Sequence, residues 1–244
     1  MKVIYEPRGR AREYAPLALN IYRGCSHGCI YCYAPSCTDR QREDFNNNIM
    51  PRLNVLRDVK KDAQKIKNDK REILLSFTSD PYQHIETKLK LTMQVIEILI
   101  TNNLTFTILT KGGYRAMRDF DLFEKYPKAR FGISLCFTSD RDRQIWEPNS
   151  ASVQERIESI KEAHQRAIPT WVSIEPVIEP GQAIELIWEY HDIVDFWKVG
   201  KLNYHPLEKT IDWKRFREDV LKVLNEVGAN YYIKKDLLEW DKNE

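Results

Sequence analysis

A chain of 244 residues with 42% hydrophobic and 30% charged residues has the length of one large domain and a composition that argues against wholesale disorder. Its formal net charge of +2 is too close to zero to nominate an acidic or a basic partner. No apolar run reaches membrane-spanning length, Met1-Lys2-Val3-Ile4 lacks a signal-peptide core, and the five cysteines are odd in number and clustered, so the sequence predicts a cytoplasmic protein without disulfides or a membrane partner.

Residues 1–16 carry Arg8, Arg10 and Arg12 among Pro7, Gly9 and Pro16 and read as an extended arm. Residues 17–22 predict a short buried strand that ends at a cysteine-rich loop. A polar stretch over 35–48 follows, and Val55, Val59, Ala63 and Ile66 recur at helical spacing after Pro51. The pattern then repeats. Strands are predicted at 73–77, 105–109, 130–135, 170–174 and 195–199, with helices at 88–102 (Leu89, Thr92, Val95 and Leu99 on one face), 114–125, 181–190 and 212–227. Between 135 and 152 lies a longer connection, after which Ser152 and Glu155 form a capping box for a helix with Val153, Ile157, Ile160 and His164 in register. Residues 231–233 predict a short extra strand before a charged C-terminal helix.

Alternating short strands and helices imply a parallel sheet covered on its outer side. A doubly wound sheet normally carries a glycine-rich phosphate turn after its first strand, whereas this chain has cysteines there. The expected fold is therefore α/β, a partial (β/α)6 barrel of the TIM type with its site at the C-terminal strand ends. It forms a single domain over 1–244: an arm (1–16), a core (about 17–203) and a C-terminal extension (204–244).

Cys25, Cys29 and Cys32 stand at CxxxCxxC spacing, with Gly24 and Gly28 free to adopt the positive torsions of a loop wrapped around an inorganic centre. A structural zinc site wants four ligands, and the chain offers Cys37 or His27 as the fourth; His27 also reads as a loop stabiliser. Three thiolates with one open position suit a [4Fe-4S] cluster better, its fourth iron free for a small molecule. Chemically active side chains also follow the other predicted strands: Ser79 and Asp80, Lys111, Ser134 and Cys136, Glu175, then Lys198 and Lys201. Each has a bland alternative as a turn or solvated residue, and Cys136 as a packed small side chain.

At Cys25, Cys29, Tyr31 and Cys32 the chain resembles the radical S-adenosylmethionine (SAM) superfamily, whose signature is CxxxCxΦC with Φ aromatic. Residues 23–33, 78–82 and 173–177 are similar to the group related to spore photoproduct lyase, often labelled DNA repair photolyase-like, and the likeness spans about 10–203. The resemblance implies that the three cysteines bind a [4Fe-4S] cluster and that SAM chelates its unique iron. A one-electron reductant such as flavodoxin or ferredoxin then cleaves SAM to methionine and a 5'-deoxyadenosyl radical that abstracts hydrogen.

It further implies that Tyr31 lies against the adenine and that Ser79 and Asp80 bind the SAM amino end or ribose. Lys111 and Ser134 match SAM-contacting positions. Arg156 stands where some members place a carboxylate partner, or else is a surface helix charge, and Glu175 belongs to the same cofactor-binding set. Spore photoproduct lyases carry a hydrogen-donating cysteine at or beside the position before the Ser-Asp pair; this chain has Phe77 and Thr78, which leaves Cys136 or Cys37 as the thiol candidate. The expected substrate is a nucleic acid or nucleotide, cleaved in a lyase reaction or modified, with Arg8, Arg10, Arg12 and Arg23 beside tyrosines for phosphate and base contacts. The alternatives are a peptide or small metabolite as the radical SAM substrate, or a non-catalytic zinc-stabilised nucleic-acid-binding module.

Overall fold

The computed structural model describes residues 2–240; residues 241–244, the end of the charged C-terminal tail, lie outside the described residues. Ten strands occur in chain order: β1 (Ile4–Tyr5), β2 (Leu17–Leu19), β3 (Tyr22–Arg23), β4 (Met50–Pro51), β5 (Ile73–Leu75), β6 (Phe106–Thr110), β7 (Ala129–Ser134), β8 (Thr170–Val177), β9 (Phe196–Lys201) and β10 (Tyr231–Ile233). Eight of them form one sheet in the order β1-β2-β5-β6-β7-β8-β9-β10, and β3 pairs with β4 in a separate ribbon. Every pair in the large sheet is parallel except β1 with β2. The fold is thus mixed α/β with a mostly parallel sheet.

The arm closes the curl of that sheet. It forms a 3-10 turn (Gly9–Glu13) rather than an extended segment. The Tyr14 hydroxyl, just before β2, bonds Ser173 Oγ on β8 (2.9 Å), and Lys198 Nζ on β9 donates to the carbonyls of Glu13 (3.1 Å) and Tyr14 (2.6 Å). Residues leading into one end of the sheet therefore touch the other end. Tyr14 also packs with Phe77, Leu109, Trp171 and Phe196 around Leu74 and Ala15, a small cluster separate from the main hydrophobic core. Trp171 reaches into this space because β7 has Gly132 opposite: a Cβ there would sit 2.1 Å from the indole nitrogen.

The predicted strands and helices are present with three revisions. The strand expected over 17–22 splits into β2 and β3. At the split, Asn20 Oδ1 accepts the N–H groups of Phe77 and Thr78 (2.9 Å each), while its amide donates to the Tyr5 hydroxyl (2.8 Å). The helix expected over 88–102 breaks at Lys90 (φ 50°) into Glu86–Leu89 and Leu91–Thr101, and the buried Glu86 carboxylate caps the second piece through the N–H groups of Leu91 (3.2 Å) and Thr92 (3.0 Å). Leu89 is consequently exposed. The helix expected over 114–125 is likewise two short pieces, Tyr114–Met117 and Phe120–Glu124.

The Ser152–Glu155 capping box is formed, with Glu155 N–H to Ser152 Oγ at 3.1 Å and Ser152 N–H to the Glu155 carboxylate at 2.7 Å. Along that helix (Val153–Gln165) it is Ala163, not His164, that completes the buried face. No helix among the described residues is long and apolar enough to cross a membrane.

Candidate active site

The loop between β3 and β4 carries the clustered cysteines, and the ribbon pins its ends by pairing Tyr22 with Pro51 and Arg23 with Met50. Gly24 leaves β3 at φ +83°, and a Cβ there would lie 2.6 Å from the Phe45 carbonyl oxygen, so this turn requires glycine. The Cys25 N–H donates to the Phe45 carbonyl (3.1 Å) and the Ile30 N–H to the Trp146 carbonyl (2.9 Å). Arg42 donates to the carbonyls of Cys29 and Cys32 (2.9 Å each), and the Ser26 N–H to the Gln83 side-chain oxygen (2.9 Å). The loop is thereby fixed through its backbone, and all five cysteines are free thiols.

Burial pushes the Cys25 thiol up to about 12, with Asp80 adding to the shift. Burial also raises Cys29 well above the ordinary range and raises Cys32. Thiols held this way ionise only against a strongly positive group. Backbone N–H groups of His27 and Asp80 meet Cys25, and that of Ala34 meets Cys32, each favouring the thiolate. A soft thiolate set with N–H donors to sulfur fits an iron-sulfur centre. Among the described residues, no three His, Cys, Asp or Glu side chains converge as ligands of one metal ion. Cys37 is exposed at the end of a one-turn helix (Ala34–Cys37), and His27 turns Nδ1 toward Asp80 Oδ2 at 3.6 Å. Burial keeps His27 neutral, its pKa lowered to about 4.

Beside the loop lies a buried ionic knot. Glu147, fully buried, accepts a hydrogen bond from the Tyr31 hydroxyl, pairs with Arg156 at 2.5 Å and has Lys111 Nζ at 3.8 Å. Lys111 Nζ also bonds Ser134 Oγ (2.8 Å), and Arg156 donates to the Ser134 carbonyl (2.9 Å), the Ala151 carbonyl (3.1 Å) and the Ser150 hydroxyl. Arg156 is therefore not a surface helix charge: none of it is exposed. Burial alone would raise the Glu147 pKa, but Arg156 and Lys111 pull it below the usual glutamate range. The same attraction overcomes burial at Lys111 and Arg156 and holds both cationic. Two cations meet one carboxylate, which leaves a surplus positive charge next to Ser134. Cys136 borders this knot, 4.0 Å from Ser134 Oγ, its thiol pushed up to about 12 by burial and by Glu147.

Asp80 has little left to offer a ligand. Its Oδ1 accepts from the Tyr82 N–H (2.8 Å) and the Thr110 hydroxyl (2.6 Å), and its Oδ2 from the Lys111 N–H (2.7 Å), so it ties the ends of β5 and β6 together. By contrast Ser79 Oγ, Ser26 Oγ and His27 Nε2 are buried without a hydrogen-bond partner among the described residues. Buried hydroxyls are rarely left so, and these are the polar atoms of the site open to a bound group.

Glu175 stands apart from the Lys111 knot. It accepts from the Tyr14 hydroxyl and from Lys234 Nζ (2.7 and 3.0 Å). Lys198 and Lys201 are both buried: Lys198 binds the arm, and Lys201 pairs with Glu208 beneath the ring of Trp240 at 4.3 Å. Sequence reasoning missed Glu147, Tyr14 and Lys234. No local signal marks them, because each finds its partners through the tertiary fold.

The chain is similar to known proteins in sequence and in fold. The family model described as the radical SAM superfamily matches residues 19–194. An uncharacterised protein of Methanocaldococcus jannaschii is 28% identical over 217 residues, covering 88% of this chain and 80% of its own. An uncharacterised protein of Mycobacterium tuberculosis is 25% identical over 167 residues, 66% of this chain and 49% of its own. Among solved structures, a spore photoproduct lyase variant with bound AdoMet and dinucleoside spore photoproduct superposes with TM-score 0.74 at 15% identity, covering 95% of this chain and 78% of that one. Streptococcus suis SuiB bound to its precursor peptide gives 0.68 at 14% identity, covering 93% and 51%.

Proposed function

Since the chain belongs to the radical SAM superfamily and is a radical SAM enzyme, we propose that Cys25, Cys29 and Cys32 hold a [4Fe-4S] cluster and that SAM binds its fourth iron. Bound there, cluster and cofactor supply a 5'-deoxyadenosyl radical that abstracts a hydrogen atom from the substrate. The observation that carries this reading is the free-thiol loop beside two cations, the buried Arg156 and the partly buried Lys111, that share one buried counter-ion. Lys111 and Arg156 lack one negative charge, which the SAM carboxylate supplies, and Ser134 helps hold Lys111 in place. Tyr31, pinned by Glu147, presents its ring toward the adenine, and Ser79 Oγ offers a hydrogen bond that it does not make within the protein. Asp80 acts by fixing Ser79 and the Lys111 backbone. Glu175, with Tyr14 and Lys234, orients groups on the substrate side, and Cys136 is a thiol that borders the knot.

The proposed substrate is a nucleic acid or nucleotide, acted on by bond cleavage or modification within one domain of residues 1–244. Its support is the fold likeness to a lyase crystallised with a dinucleoside, together with the exposed Tyr33. A peptide substrate is the second reading, favoured by the likeness to SuiB with its precursor peptide. Electrons come from a one-electron carrier of the flavodoxin or ferredoxin kind, and Ile30, exposed between two ligand cysteines, lies where such a carrier would approach. The test is anaerobic iron-sulfide reconstitution followed by dithionite, SAM and deuterated oligonucleotides or peptides. Brown protein, 5'-deoxyadenosine and deuterium transfer from the nucleic acid are expected. A colourless protein that leaves SAM intact would overturn the radical reading, and transfer from peptide alone would replace the substrate.

A further inference from the structure

A cleft of about 610 Å³ opens between the N-terminal turn Gly9–Glu13 and the C-terminal helix Lys235–Leu238, lined among others by Arg10, Arg12, Glu13, Lys235, Asp236 and Glu239. Its size is that of a small-ligand site. Three acids and three cations line it, but the acids are already engaged. The Glu13 carboxylate accepts from the Tyr232 hydroxyl (2.8 Å) and the Lys235 N–H (2.9 Å). Asp236 Oδ2 accepts from Asn203 (2.8 Å) and lies 3.5 Å from Arg10, and Glu239 has a partner of its own.

The charged ends of Arg12 and Lys235 have no such partner among the described residues. Two unpaired cations facing one concavity repel each other, and an anion that bridges them removes that repulsion. Tyr204, 80% exposed, lies against another cation of the cleft, with the Arg10 guanidinium 5.6 Å from its ring centre. An open aromatic face backed by a cation suits a planar ring.

We propose that this cleft is a phosphate-ester subsite, in which Arg12 and Lys235 hold the phosphate oxygens and Tyr204 stacks on the adjoining base. An arginine fork matches phosphate oxygens, and the neighbouring aromatic face favours a nucleotide over an acidic peptide. The inference deepens the nucleic-acid reading above and rests on it. It also gives the arm a second task, since the segment that closes the curled sheet then holds substrate as well.

Fluorescence anisotropy with a labelled single-stranded oligonucleotide tests it on the reconstituted protein, with AMP and inorganic phosphate as competitors. Arg12→Glu with Lys235→Glu should weaken oligonucleotide binding at least about 10-fold and flatten the salt dependence by about 1.4 in log–log slope, for two lost single-strand phosphate contacts. Tyr204→Ala should weaken it about 5- to 150-fold, the range of one lost stacking contact. Far-UV circular dichroism should match the parent for all three exposed positions. Parent-like affinity and salt slope in the double variant would overturn the subsite. Failure of the parent to bind oligonucleotide, with AMP still bound in an Arg12- and Lys235-dependent way, would keep the subsite and reject the polymer. An acidic peptide bound in preference to every phosphate ester would reject the subsite, while SAM cleavage separately judges the radical reading.

Discussion

Replacing Glu147 by Ala removes the carboxylate shared by the buried Arg156 and the partly buried Lys111. Glu147 and Arg156 are both fully buried and 2.5 Å apart, with the partly exposed Lys111 at 3.8 Å, so the variant leaves the buried Arg156 guanidinium without its counter-ion. Breaking one side of a buried pair costs about 3–5 kcal/mol. For a chain of 244 residues, that lowers Tm by roughly 6 °C or more. Urea unfolding of the iron-free protein, followed by tryptophan fluorescence, measures the loss directly.

The pH dependence gives a second check. The folded-state pKa of Glu147 is lowered: burial acts upward but is outweighed by Arg156 and Lys111. Its contribution is therefore present above the unfolded glutamate pKa of about 4.3 and is lost as pH falls through the folded value. The gap between parent and variant should accordingly narrow in acid. A loss below about 1 kcal/mol at neutral pH, the range of an exposed pair, or a gap that widens in acid, would refute the reasoning.

Cys29→Ala should lose the brown colour and bound iron of the reconstituted protein, read by visible absorbance and iron analysis, while Cys37→Ala should keep both. Gly132→Ala places a Cβ about 2.1 Å from the indole of the buried Trp171 and should destabilise by about 1–3 kcal/mol, seen as a lower urea midpoint, because the ring must shift to admit it. Tyr14→Phe removes the hydroxyl that joins Ser173 and Glu175 and should cost about 1–3 kcal/mol in the same assay. Lys198, its pKa lowered to about 8 by burial, binds fewer protons folded than unfolded between about pH 8 and 10.4. Stability due to this group should therefore rise with pH across that window, and Lys198→Met should abolish the rise in parallel titrations.

Much of this protein is legible in short stretches of sequence. Three cysteines within eight residues announce their own chemistry, since loop ligands need no distant partner to be near one another. The βα alternation implies a parallel sheet because parallel neighbours must be joined by crossovers. The Ser152–Glu155 box can be read because both of its bonds span three residues.

What the sequence could not supply depends on contacts between remote segments. Glu147 and Arg156 are close in the chain, yet they meet only because the helix Asp140–Trp146 and the helix Val153–Gln165 turn both side chains inward. Lys90 interrupts a helix whose apolar pattern runs straight through it, because Glu86 caps the second half from outside. Tyr14 and Glu175 are 161 residues apart and join only when the sheet curls. Sequence by itself determined the family, the clustering of the cysteines and the βα alternation, all set by local spacing. Tertiary structure alone decided which charges are buried, which are neutralised and which remain to meet a ligand, because burial and pairing are properties of the packed chain.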